Sequence, residues 1–184
     1  FSARFLGLGL VLWAGLASLW RGVPLDFGAL TPETGVYLIL AAGLRLGVLP
    51  LHLAYSPESA VRRGFGTALR LVVATSSLVI LARIPAQGIS SPLAPFLLIL
   101  TAGAGLYGGW MWMRSPDELT GHPYWIIALA SLAIAAALRG NPVGSVAWGT
   151  VLVLTGGALF LSSVQHKIIQ RILLFAGLWS LSSL

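Results

Sequence analysis

Apolar residues along this chain gather into seven long runs, at 5–20, 35–55, 65–82, 93–113, 123–138, 143–161 and 168–184. A helix needs about 20 apolar residues to cross the hydrocarbon core of a bilayer, and most of these runs approach that length. The two shortest, 5–20 and 123–138, reach it by tilting or by borrowing flanking residues. Polar and turn-forming residues are confined to the gaps, as between Arg21 and Thr34 with Pro24, Asp26, Pro32 and Glu33. In that gap Thr31-Pro32-Glu33 also has the form of a helix start, a threonine cap followed by proline in the first turn. The pattern predicts an all-α polytopic membrane protein, one bundle of six to seven transmembrane helices over residues 1–184 with no room for a soluble domain.

The run 35–55 breaks this uniformity. Arg45 stands in its middle, about 15 Å of helix rise from either end. An arginine at that depth costs roughly 2.5–3.5 kcal/mol on the most lenient insertion scale, so it is expected to face protein or water. Five residues on, Pro50 removes a helical hydrogen bond and predicts a break in the helix. His52, seven positions after Arg45, returns to about the same face of a continuous helix. A cation, a break and an imidazole on one face point to an ion or proton path. The alternative is a structural arginine held by a neighbouring carboxylate, with the histidine at the water interface. In the next run Arg70 shares a face with Thr67 and Ser77. It either snorkels to the headgroups or turns inward to share a hydrated cavity with Arg45 and Glu58.

Composition strengthens the membrane reading. The chain is 57% hydrophobic and only 9% charged, with a mean hydropathy of +0.91, against about 25% charged in soluble domains. Its net charge of +6 comes from ten arginines and one lysine against five acids. These cations are scattered between apolar runs and form no basic face, which argues against nucleic acid as a partner. Instead they signal topology: Arg4, Arg62, Arg63, Arg114, Lys167 and Arg171 fall on one side, Arg21, Arg83 and Arg139 on the other. The richer side is expected in the cytoplasm. With no cysteine, thiolate metal sites and cysteine-ligated clusters are excluded. There is no HExxH, no P-loop and no paired catalytic carboxylate, and Gly7-x-Gly9 lacks the third glycine of a dinucleotide site. No cofactor or metal is expected, His122 and His166 being read as structural or surface residues without a ligand partner at helical spacing. In the run 93–113, Gly105 and Gly109, with Gly108 beside them, predict close helix packing. Trp110, Trp112, Trp125 and the 114–122 gap fit an interfacial belt. The chain opens without methionine and ends inside an apolar run, and is read as an internal piece of a longer subunit.

Two stretches taken together resemble a known family. One is Arg45-x4-Pro50-Leu51-His52 followed by Ser56-Pro57-Glu58. It is similar to the broken seventh helix of the antiporter-like subunits of respiratory complex I and of multi-subunit sodium/proton antiporters. There a lysine precedes Pro-Leu-His by five residues and Leu-Pro-Asp-Ala follows. The other is Leu106-Tyr107-Gly108-x2-Met111-x2-Arg114-x2-Asp117-x6-Tyr124, which resembles that family's junction between the ninth and tenth helices. The resemblance implies helices six to eleven of a fourteen-helix antiporter-like fold, with the loop after the seventh helix in the cytoplasm.

The chain also departs from the family's pattern. The seventh-helix lysine is Arg45 here, and a guanidinium stays charged where an amine switches. Leu-Pro-Asp-Ala has become Ser56-Pro57-Glu58-Ser59, Thr75 stands where many members have lysine, and the later His-x3-Lys maps to Leu152 and Gly156. What the resemblance implies is a divergent subunit of an NADH:quinone oxidoreductase-type complex in a bacterial plasma membrane. It would take part in proton translocation, with Arg45, His52, Glu58 and Arg70 as the path, Pro50 as the break, and Arg114, Asp117 and Tyr124 at the helix junction. The implied partners are the lipid bilayer, other membrane subunits of a hetero-oligomer, and protons or monovalent cations. The alternatives are a scaffold subunit that has lost its path, or a stand-alone cation/proton antiporter or bicarbonate-uptake subunit.

Overall fold

A computed structural model describes residues 2–24, 26–53, 65–84 and 92–161. The run 168–184 and Glu58 lie outside the described residues, as does His166. Six α-helices and no strand occur among the described residues: α1 (Ser2–Trp20), α2 (Pro32–Leu46), α3 (Phe65–Ala82), α4 (Ala94–Arg114), α5 (Glu118–Leu138) and α6 (Pro142–Leu161), with a single 3-10 turn at Phe27–Ala29. Three of them, over Ala3–Trp20, Ala94–Arg114 and Thr120–Leu138, are long and apolar enough to cross a membrane.

α5 is the hub. It packs against α4, α6, α2 and α3, while α1 reaches the bundle through α2. Seventy-eight per cent of the α5 span is buried, against 17% for α1 and 22% for α4. A helix apolar on all sides and covered on most of them is a core helix, whereas α1 and α4 present their side chains outward. Phe96, Ile99, Leu106, Trp110 and Met113 form that outward face on α4. The core between the helices is built from Ile39, Leu46, Leu81, Ile126, Ile127, Ile134 and Leu152, each almost wholly buried.

α2 is shorter than the apolar run that holds it, and its end differs from the expected break at Pro50. Its start is the one Thr31-Pro32-Glu33 announces: Thr31 Oγ1 accepts from the Thr34 amide at 3.3 Å and proline sits in the first turn. Its end is set by Gly47, which lies in the left-handed region at φ 80°, ψ 16°. The Val48 amide donates to Gly43 O at 2.9 Å and the Gly47 amide to Leu44 O at 3.4 Å, the paired bonds of a Schellman turn. Gly43 makes the turn possible from beneath, since a Cβ there would lie 2.8 Å from Leu49 Cβ. The chain has therefore left the helix before Pro50, which lies beyond the turn behind a cis Leu49–Pro50 peptide. Fifteen residues span about 22 Å, short of a bilayer's hydrocarbon thickness.

At the α4–α5 crossing the close approach is made by Gly105 and Gly108. A Cβ on Gly108 would lie 2.9 Å from both Ala128 N and Tyr124 O, and one on Gly105 would strike the Ser131 hydroxyl. A Cβ on Gly109, the residue expected to pair with Gly105, would meet nothing within 4 Å. The reason is rotation: Thr101, Ala104 and Gly108 recur at three and four residues and are the buried stripe of α4, and Gly109 lies one residue off it.

Candidate functional site

Arg45 lies in the last turn of α2, where a cation complements the negative end of the helix dipole. Its aliphatic stem crosses α1 at Gly7. A Cβ on that glycine would sit 2.8 Å from Arg45 Cγ and 3.1 Å from Ala41 O, so only glycine leaves the passage open. Gly7 is thus a packing residue, which the Gly7-x-Gly9 pattern could not reveal without knowing what lies opposite. From there Arg45 Nη2 donates to Ser76 Oγ on α3 at 2.7 Å, and the Ser76 hydroxyl donates to Val73 O at 2.8 Å. Ser76 belongs to the outward stripe of α3, between Val72 and Val79, which are 66% and 52% exposed. The half-buried guanidinium therefore lies on the outer side of the α2–α3 pair, away from α5.

His52 does not share a helix face with Arg45, because the helix between them has ended. Its amide donates to Gly47 O at 3.0 Å, and its Nδ1 lies 2.8 Å from Pro50 O, so the ring folds onto its own turn. That contact assigns the proton to Nδ1 and leaves Nε2 as an acceptor, buried and without a hydrogen-bond partner among the described residues. Among the described residues no hydrogen bond joins His52 to Arg45.

A second cation and imidazole lie on α3 and α5. Arg70 on α3 is half-buried, and its charge acts on the imidazole of His122 on α5. His122 is fully buried, at 0% exposure, inside a helix where the apolar runs leave it in the gap before one. The difference comes from the start of α5. Asp117 Oδ1 accepts from the Thr120 amide at 2.7 Å and Oδ2 from the Thr120 hydroxyl at 2.9 Å, so the helix begins at Glu118. His122 and Pro123 are then inside it. The signal was present in Asp117-x2-Thr120, an aspartate cap three residues before a donor.

The remaining junction residues are structural in their contacts. Arg114 stacks over the Trp110 ring at 4.3 Å, a cation–π contact one turn apart on α4. Tyr124 is buried and meets Tyr107 edge-on across the α4–α5 crossing, ring centroids 6.2 Å apart. Among the described residues two cavities lie elsewhere. One of about 160 Å³ is lined by α1, α2 and the Asp26 turn; one of about 250 Å³ lies between α3 and α6 beside buried Ser145. Neither touches Arg45, Arg70 or His122.

No protein-family model, curated protein or solved structure matches the chain.

Proposed function

We propose that this chain is a multi-pass membrane subunit of a hetero-oligomeric complex, a divergent antiporter-like subunit that takes part in proton translocation beside an NADH:quinone oxidoreductase-type machine. The observation that carries the reading is His122, an imidazole wholly buried in the central helix α5, with the cation Arg70 on α3, a helix that packs on α5. An imidazole has two ring nitrogens able to hold or release a proton, whereas a guanidinium keeps its charge. In this reading His122 is the relay group and Arg70 a fixed charge on the neighbouring helix. Arg45 contributes a second fixed charge at the end of α2, a helix that stops short of a full crossing, as helices do around transporter sites.

The test is His122→Gln in the full subunit, with the assembled complex reconstituted in vesicles. Protons moved per NADH oxidised should fall severalfold while the complex still assembles on a native gel. An unchanged proton stoichiometry refutes the role of His122 and the translocation reading with it. A scaffold function is the second reading, favoured by the outward position of Arg45 on a serine. It predicts the opposite split, lost assembly with intact stoichiometry in whatever complex remains.

A further inference from the structure

Arg45 carries a charge that nothing described around it neutralises. Among the described residues its one hydrogen bond goes to a neutral hydroxyl, and a guanidinium has five donors to satisfy. The described carboxylates are engaged or remote. Glu33 pairs with Arg21, Asp117 caps α5, and Asp26 lies in the turn before α2, at the opposite end of that helix from Arg45. Depth offers no escape. Ser76 stands eleven residues into α3 and six from its end, about 16 Å and about 9 Å of rise from the two ends.

The surroundings form a groove. α1 and α3 both pack on α2 and do not touch each other among the described residues. The partly exposed α2 positions Tyr37, Leu40 and Leu44 recur on one helix face at three and four residues. On the α3 wall Val72 and Val79 stand above and below Ser76, and on α1 the exposed Leu6 and Leu8 lie on opposite sides of the Gly7 contact, so one of the two borders the groove. Lipid covers such apolar walls well and covers a guanidinium badly.

We propose that the groove between α1 and α3 is the docking site of a transmembrane helix from another subunit, and that this helix carries an aspartate or glutamate opposite Arg45. The carboxylate completes the guanidinium's hydrogen bonds bidentately, which a lysine in place of Arg45 could do only as a point charge. The proposal rests on the membrane-subunit reading and not on proton transport, so its readout is contact rather than pumping.

The experiment places a photoreactive side chain, Val72→p-benzoylphenylalanine and separately Val79→p-benzoylphenylalanine, in the full chain within its native membrane complex. Irradiation should yield adducts with a peptide of a different polypeptide that has a carboxylate within about one helical turn of the adduct. Arg45→Glu should lower the adduct yield about tenfold or more, because like charges face each other in a low dielectric. Arg45→Lys should keep most of it. If Arg45→Glu does not accumulate, Arg45→Met supplies the charge-free comparison with the same expected loss. Adducts with lipid only, with the Glu58 segment of this chain, with a second copy of it, or with a peptide lacking a nearby carboxylate overturn the proposal. So does a yield indifferent to Arg45→Glu. Lost cross-linking with normal proton stoichiometry leaves translocation standing, and the reverse leaves the docking site standing.

Discussion

Gly108→Ala should loosen the α4–α5 pair, and Gly109→Ala, one residue along the same helix, should not. A methyl on Gly108 meets backbone: Ala128 N and Tyr124 O at 2.9 Å, then Ile127 Cγ2 at 3.1 Å. Comfortable heavy-atom contact is about 3.5–4.0 Å. Backbone atoms of a buried helix cannot rotate aside, so α4 must retreat by roughly 0.5 Å, which forfeits about a quarter of the dispersion energy of each contact along the crossing. Leu97, Thr101 and Ala104 lie on that stripe and lose contact together. Overpacking of this kind costs about 1–3 kcal/mol. Alanine also gains up to about 1 kcal/mol over glycine in a helix interior, but both variants share that gain, so their difference isolates the steric cost. At about 2–4 °C per kcal/mol for a chain of this size, Gly108→Ala should melt about 2–12 °C below Gly109→Ala. The assay is thermal unfolding of the full chain in bicelles, followed by far-ultraviolet circular dichroism. Gly105→Ala should fall between them, because the atom it strikes is the Ser131 hydroxyl, which can turn away. Equal melting of Gly108→Ala and Gly109→Ala would refute the packing argument and restore Gly105 and Gly109 as the contact pair.

Two other perturbations test how the ends of α2 and α5 are made. Gly47→Ala forces a Cβ into the left-handed region and should cost about 1–2 kcal/mol in a denaturant titration, with Gly47→Asn costing less. Wild-type stability in both would show that the Schellman turn is not what ends α2. Asp117→Ala removes both contacts to Thr120 and should cost about 0.5–2 kcal/mol, with faster amide exchange over the first turn of α5, while Asp117→Asn retains most of the cap. Unchanged exchange in Asp117→Ala would move the start of α5 away from Asp117.

The apolar runs alone place α3 over 65–82, and α4 and α6 within a residue of their ends. Hydrophobic length and flanking polar residues are local quantities, written wherever a helix must sit among apolar neighbours. They also carry the class of the protein, all-helical and rich in candidate membrane spans. The ends of α2 and α5 escape the same reading because an apolar run says nothing about handedness or capping: Gly47 stops one helix inside its run, and Asp117 starts the other before its run begins. Side-chain placement lies further still from sequence. Whether Arg45 faces α5 or the outer groove depends on which helix stands across from it, and Ser76 and Gly7 come from helices on either side of α2. His122 and Arg70 come onto neighbouring helices for the same reason, through the packing of α3 on α5 across a span of chain that no periodicity encodes. Helical spacing can assign a residue to a face of its own helix; what that face meets is a property of the assembled bundle.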